Sequence, residues 1–424
     1  MARTAAIVLA ACLAAGCTAG AERAPGTGAA GGGGEAVIRV ALFNIQELSA
    51  ERLGATGPDG AGSDPAALAA AAIVQRVRPD VLVLNEIDFP DGAADRVANP
   101  AAHARLFAER YLARGAAPID YPHAFAAPVN TGLLTGLDLD RDGRAAGPED
   151  RGTREHGNDS FGYGVYPGQY GMALLSRHPI DRDGVRTFQR WLWRDLPGHH
   201  LPADWYGPAA AVLRLSSKSH WDVPLAIGGP AGGRRLHLWI SHPTPPAFDG
   251  PEDRNGRRNF DEIKLWADYL DGAGALIDDQ GRRGGYVSEE PFLIAGDLNA
   301  DPGDPAVYDG KPAIGQLLGH SRIRDPGDLL ASRGAAEHRR EALAAARAAG
   351  ETETAADLER RPHPERSTAE FLGGRRVDYL LPGGGLEAVG GGVFWSSAEE
   401  DPEGHALAKA ASDHRLVWLD LRLP

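Results

Sequence analysis

The chain has 424 residues and a formal net charge of −14, with 58 Asp and Glu against 44 Lys and Arg. Such a field repels polyanions at low salt, which argues against a protein that grips nucleic acid tightly and without sequence preference. A phosphoesterase is not excluded, because a divalent ion offsets that repulsion locally. Both cysteines, Cys12 and Cys17, lie at the amino terminus, so no disulfide holds the body of the protein together.

In chain order, Arg3 precedes an apolar stretch over residues 5–15, which reads as a secretory signal too short to serve as a spanning helix. The small residues before Cys17 match a bacterial lipoprotein cleavage box. Residues 1–16 are therefore expected to be removed and Cys17 lipidated, leaving the protein membrane-anchored on the extracytoplasmic face. Residues 17–35, rich in Gly, Ala and Thr, read as a flexible tether. The rest, 36–424, reads as one catalytic domain with insertions near 128–168 and 320–366, acting as a monomer.

A β-rich run over 36–43 ends at Asn44. A helix opens at Pro65, carries Leu68, Ile73, Val74 and Val77, and stops at Pro79. Residues 81–84 form a continuous apolar run of the kind buried on both faces, ending at Asn85 and Glu86. Residues 101–113 look helical, and 171–176 and 211–215 look extended. A strand over 236–240 ends at Ser241 and His242. Helical spacing over 259–270 offers Phe260, Ile263, Leu265, Trp266 and Leu270 to a core. A strand over 291–295 delivers Gly296 and Asp297, and 377–381, 393–395 and 416–421 supply the last strands. Mixed strands with interspersed helices predict a layered α/β or α+β body. Residues 128–168, rich in Gly, Asp and Pro, predict a long ordered loop; residues 337–361, rich in Ala, Glu and Arg, predict an exposed helical insertion.

Asn44, Glu86, His242, Asp297, Asn299 and His414 all sit at or just beyond strand ends, so the pattern gathers them on one rim. Carboxylates and amides without thiols suit a hard cation such as Mg2+ or Mn2+. Asp297 and Asn299, two apart, share a face if their segment is extended. Glu47 reads as a solvated turn acid. In the first insertion, Asp138, Asp140 and Asp142, with Gly143 and Glu149, satisfy the spacing of a calcium loop, so Ca2+ is a second candidate ion. Loop aromatics such as Trp191, Trp193, Trp205 and Tyr206 could stack on a base or a sugar, or cap a core.

Taken in order, Phe43-Asn44, the run from Pro79 to Glu86, Gly171 to Ile180, Ser241-His242-Pro243, Gly296-Asp297-Leu298-Asn299, Arg376-Val377-Asp378-Tyr379 and Ser412-Asp413-His414 resemble the endonuclease/exonuclease/phosphatase superfamily, the deoxyribonuclease-I-like fold. The resemblance implies an α+β, four-layer α/β/β/α sandwich: two mixed sheets packed face to face with helices outside. It implies metal ligands at Asn44, Glu86, Asp297 and Asp413, and catalytic groups at His242, Asp297, Asn299, Asp378 and His414. In that scheme Asp378 fixes the second nitrogen of His414, and His242 contacts the phosphate or protonates the leaving group. Asn85 stands where many members carry Gln. The implied reaction is metal-dependent hydrolysis of a phosphate ester by in-line water attack, of the phosphodiesterase or nuclease type, on nucleic acid or a phospholipid head group. The alternatives are a phosphomonoesterase acting on inositol phosphates or nucleotides, and a non-catalytic binding lipoprotein on the same fold.

Overall fold

The computed structural model describes residues 37–91, 98–228 and 233–424. The expected signal, the lipidation site Cys17 and the tether lie outside the described residues. Eleven strands are described: β1 (Val37–Leu48), β2 (Val81–Ile87), β3 (His123–Phe125), β4 (Met172–Ser176), β5 (Arg186–Thr187), β6 (His220–Ile227), β7 (Arg234–Ser241), β8 (Phe292–Asp297), β9 (Asp378–Gly383), β10 (Glu387–Val393) and β11 (Val417–Arg422). The helices that matter here are α1 (Pro65–Val77), α2 (Arg254–Leu270), α3 (Arg333–Ala349), α4 (Thr352–Arg360) and α5 (Pro402–Ala411). Among the described residues no helix is long and apolar enough to cross a membrane.

The strands form two mixed sheets, one ordered β10-β11-β1-β2-β4-β3 and the other β5-β6-β7-β8-β9. Each has one parallel pair, β1 with β2 and β7 with β8, while the remaining neighbours run antiparallel. The strand pleat sorts side chains between layers. Leu236, Leu238 and Ile240 of β7, with Leu293 and Ala295 of β8, share a core with Val40, Leu42, Leu82 and Leu84 of the first sheet. The alternate residues Trp239, Phe292 and Ile294 face outward onto Ile263, Trp266 and Tyr269 of α2. Trp239 lies between Phe292, at a centroid distance of 4.2 Å, and Trp266, at 5.5 Å, both stacked. On the far side of the first sheet, small residues of α1 and α5, including Ala70, Ala71 and Ala411, bring helices close to the strands. The result is helix, sheet, sheet, helix. α1 begins where its sequence says it should: Pro65 occupies the first turn, Asp64 accepts the Ala67 N–H at 2.9 Å, and Arg78 turns left-handed at its end.

Three local expectations change. Residues 211–215 are not a strand; a 3-10 turn over Gly207–Ala211 leads to a single bridge between Arg214 and Leu192. The strand in that region is β6, which Pro224 disguises. The Pro224 carbonyl accepts the Asp181 N–H at 2.9 Å on the outer side, so its missing N–H also faces that side, beyond the two-residue β5. The tenth strand runs earlier than expected, through Gly390, Gly391 and Gly392. Trp418 covers Gly392 so closely that a Cβ there would sit 2.5 Å from its ring. The absent side chains make room for the neighbouring strand's indole.

Neither insertion is loose. Asn130 donates to the carbonyls of Gln189 and Ser216 and ties the first insertion to the second sheet. The calcium-loop set is not assembled. Asp138 and Asp140 come together with Asp159, while Asp142 and Glu149 stay out of the group. A 3-10 turn over Pro148–Asp150 places Glu149 over Gly147. Asp159 is satisfied by the N–H groups of Leu139 and Ala146, both at 2.7 Å. In the second insertion α3 and α4 pack through Ala346, Ala355 and Leu358. Their buried arginines do the docking: Arg339 donates to the carbonyls of Leu358, Gly373 and Gly374.

Candidate active site

Parallel pairing brings the carboxyl ends of β1, β2, β7 and β8 to one edge. β9 and β11 run against their neighbours, so it is their first residues that reach the same edge. Asp297, the last residue of β8, is in register with Asp378, the first of β9. Asn44, Glu86, His242, Asp297, Asp378 and His414 meet here.

The cluster is built around Asp297. Asn44 Nδ2 donates to Asp297 Oδ2 at 2.9 Å and to Glu86 Oε1 at 3.0 Å, bridging the two sheets. Asn85 makes a second bridge, its Oδ1 accepting the Asp297 N–H at 2.9 Å. His242 Nε2 lies 3.4 Å from Asp297 Oδ2, and His414 Nε2 lies 3.7 Å from the same oxygen. On its other side, His414 Nδ1 meets Asp378 Oδ2 at 2.9 Å. Asn44 Oδ1 accepts the Gln46 N–H at 3.1 Å, which turns the Asn44 amide nitrogen toward the two carboxylates.

Glu86 is held in a tight backbone setting. Glu86, Gln46 and Glu47 all have positive φ, at 62°, 47° and 51°, conformations that cost non-glycine residues on the order of 1 kcal/mol each. Contacts around them fix that shape. The Glu47 N–H donates to Glu86 Oε2 at 3.0 Å, and Arg52 Nη1 donates to the carbonyls of Gln46 and Glu47. The Tyr170 hydroxyl donates to Glu47 Oε1 at 2.6 Å. Glu47 is exposed, yet it buttresses Glu86 rather than simply facing solvent.

Asn299 departs from the expected geometry. β8 ends at Asp297, and Asn299 turns left-handed with φ 49°. Its N–H donates to Asp297 Oδ1 at 3.0 Å in an Asx-type turn. Its amide donates to the Pro243 carbonyl at 3.1 Å, and it still lines the same cavity as Asp297. Asp413 lines the cavity as well, but stands outside the tight ligand groups. Burial pushes its carboxyl up.

Charge in the cluster is sharply partitioned. Burial alone would discharge His414, but Asp378 and Asp297 outweigh it and push the imidazole up to about 10. Burial likewise opposes the Asp297 charge; His414 and His242 override it and hold that carboxylate well below the usual range. Sequence reasoning missed Lys218. It is buried directly before β6, lines the same cavity, and burial pulls its ammonium down against the opposing pull of Glu262, Glu86 and Asp297. The only available signal was its place ahead of a strand that pairs with the one ending at His242, and that strand was hidden by Pro224.

The donor set fits a hard divalent cation. Glu86, His242 and Asp297 each offer a ligand atom within 4.8 Å of the others, and the buried His242 Nδ1 has no hydrogen-bond partner in the protein. The cavity around them has a volume of about 1190 Å³. It extends over both sheets, from Ser49, Arg52 and Lys409 on one side to Tyr206, Arg254 and Arg258 on the other.

The family model described as Endonuclease/Exonuclease/phosphatase family matches residues 41–414. No curated protein matches the chain. Among solved structures, it is similar to an endonuclease/exonuclease/phosphatase from Beutenbergia cavernae, at 20% identity over 91% of this chain and 72% of that one, with a TM-score of 0.47. It is also similar to the human Nocturnin catalytic domain with bound sulfate anion (13% identity, 92% and 94% covered, TM-score 0.42). Sphingomyelinase C from Streptomyces griseocarneus is a third such structure (16%, 91% and 99%, TM-score 0.41). With the family model spanning all but the ends of the folded body, and the site's carboxylates and histidines inside it, the chain belongs to the endonuclease/exonuclease/phosphatase family of metal-dependent phosphoesterases.

Proposed function

We propose that this protein is an extracytoplasmic phosphodiesterase that works with Mg2+ or Mn2+ and is anchored through Cys17 as a monomer. The observation that carries the catalytic part is the convergence of Glu86, His242 and Asp297 within 4.8 Å, with His414, paired to Asp378, reaching the same Asp297 oxygen as His242. The cellular address is supported by the sequence alone, in Arg3, the apolar stretch 5–15 and Cys17.

Glu86 and Asp297 would hold the divalent ion, with Asp413 beside them; when bound, the ion would supply charge neutralisation at the phosphate. The permanently ionised Asp297 orients the attacking water. His414, kept cationic, and Lys218 donate to phosphate oxygens as negative charge builds on them. Asp378 keeps the His414 ring in place. Water oxygen bonds to phosphorus as the opposite ester bond breaks; His242 gives a proton to the departing oxygen and is reprotonated by the proton that the attacking water releases. No covalent enzyme intermediate is needed.

One feature supports a diester: the cavity runs to both sides of the catalytic cluster, from Ser49 and Arg52 to Arg254 and Arg258, leaving room for two substituents on phosphorus.

The test is release of nitrophenol from bis(p-nitrophenyl) phosphate and from p-nitrophenyl phosphate, with Mg2+ or Mn2+ and then with chelator. The diester is expected to be the better substrate, chelator to abolish turnover, and Asp297→Asn to lower kcat by about 10³-fold. Turnover that ignores the chelator or survives Asp297→Asn sinks the mechanism.

A further inference from the structure

Phe248 is 85% exposed, yet it lines the catalytic cavity six residues after His242. An aromatic ring left in water beside a reaction centre asks what covers it. The loop that carries it is rigid. Pro243, Pro245 and Pro246 precede it, and Asn255 closes it from the start of α2, its N–H donating to Asp249 Oδ2 and its amide to the Ala247 carbonyl, both at 2.6 Å. Phe248 itself has φ 66°, a left-handed conformation that is a genuine outlier for a bulky side chain. The ring is therefore held out by design of the loop, not by its mobility.

A second ring stands in the same cavity. Tyr163, from the first insertion, is 48% exposed and lies against Gly157, where a Cβ would come within 2.7 Å of it. Arg154, on the same insertion, is exposed and also lines the cavity. Other exposed large apolar residues, Val287, Val307 and Leu372 among them, do not line it. Among the described residues the two exposed aromatic rings of this kind, Phe248 and Tyr163, both line the cavity.

Resting on the phosphodiesterase reading above, we infer that the substrate is a small diester carrying a flat ring, such as a nucleoside, seated against Phe248 and Tyr163 and held whole in the cavity. Arg154, Asn158, Tyr163 and Tyr166 of the insertion wall the cavity, and the net charge of −14 disfavours a polymeric polyanion. Aromatic platforms recognise bases through stacking, with Arg adding a cation–π contribution.

The experiment compares kcat/KM for thymidine 5′-(p-nitrophenyl phosphate), with its flat base, and glycerophosphocholine, which has no ring, in wild type, Phe248→Ala and Phe248→Trp. Phe248→Ala should lower the ratio of the two values about tenfold, chiefly through KM, and Phe248→Trp should retain it. Using each enzyme's ratio cancels the difference in leaving-group reactivity. Plasmid DNA cleaved more efficiently per phosphodiester than the small substrate overturns the inference, as does a Phe248-dependent rate confined to phosphatidylcholine vesicles, or a ratio that Phe248→Ala leaves unmoved. Calorimetric binding of AMP against inorganic phosphate, with Mg2+ present, separates the two levels of the argument. A preference for AMP that Phe248→Ala removes, without hydrolysis of any ester, upholds the ring seat and sinks the hydrolase. Hydrolysis without that preference does the reverse.

Discussion

Asp297 is the residue on which the site turns, because Asn44, the Asn299 N–H, His242 and His414 all address its carboxylate. Such convergence is stable without metal only if one imidazole carries a proton, and His414 does, with its ring pushed up to about 10 by Asp378 and Asp297 against burial. The consequence for stability has a definite sign. A histidine bound more tightly to its proton in the folded state contributes stability that is complete below its unfolded value of about 6.5 and is lost as pH rises through about 10. The metal-free protein should therefore lose on the order of a few kcal/mol between pH 6.5 and 10.5 in chelator, and His414→Gln should flatten that slope. Urea denaturation midpoints across this range check it. Identical slopes in the two proteins would mean that His414 is uncharged when folded.

The elements were legible where they were apolar. β1, β2, β7 and β8 are largely buried on both faces, so each reads as a hydrophobic run, interrupted only by Arg39 in β1 and His237 in β7, and one of the two residues after each run is a candidate ligand. That logic placed Asn44, Glu86, His242 and Asp297 from sequence. It could not see β6, whose Pro224 sits on an outer side, or β10, whose glycines exist to admit Trp418. Nor could it see the work of α3 and α4, since an Ala, Glu and Arg composition looks the same whether its arginines are solvated or buried. Arg361, just past α4, donates to Asp301 Oδ1 and Asp304 Oδ1 at 2.9 Å and to Asp357 Oδ2 at 2.9 Å. The other Asp301 oxygen accepts the Arg376 N–H at 2.8 Å. Asp301 follows Asn299 by two residues and Arg376 precedes Asp378 by two, so the insertion braces both catalytic strand ends. Arg361→Ala leaves three carboxylates crowded and should cost about 3 kcal/mol or more. It should also lower kcat more than it raises KM, because Asp378 and His414 lose their alignment while the cavity stays open. A change in stability with kcat intact would reduce the insertion to a structural ornament.

At the scale of the whole molecule, the two sheets share no ladder hydrogen bond among the described residues, and what joins them at the active edge is polar. Glu86 and Asn44 belong to the first sheet; His242 and Asp297 belong to the second. Without an ion, the Glu86 and Asp297 carboxylates share the Asn44 amide, Nδ2, while Asn85 Oδ1 ties the Asp297 N–H to the first sheet. A divalent ion liganded from both sides replaces that repulsion with a cross-sheet clamp, so its binding energy is felt by the sandwich as a unit and not only by the rim. Binding linkage sets the size: at a hundredfold excess over Kd the folded state gains about 2.7 kcal/mol, which for a chain of this length shifts Tm by about 3 °C. Thermal scans with Mg2+ or Mn2+ and then with chelator should show that shift as one cooperative transition. Glu86→Gln removes a ligand from the first sheet only. It should raise Tm in chelator, where the carboxylate repulsion is gone, and should abolish the gain on adding metal. If the variant still gains the full shift, the ion is held by the second sheet alone and the clamp does not exist.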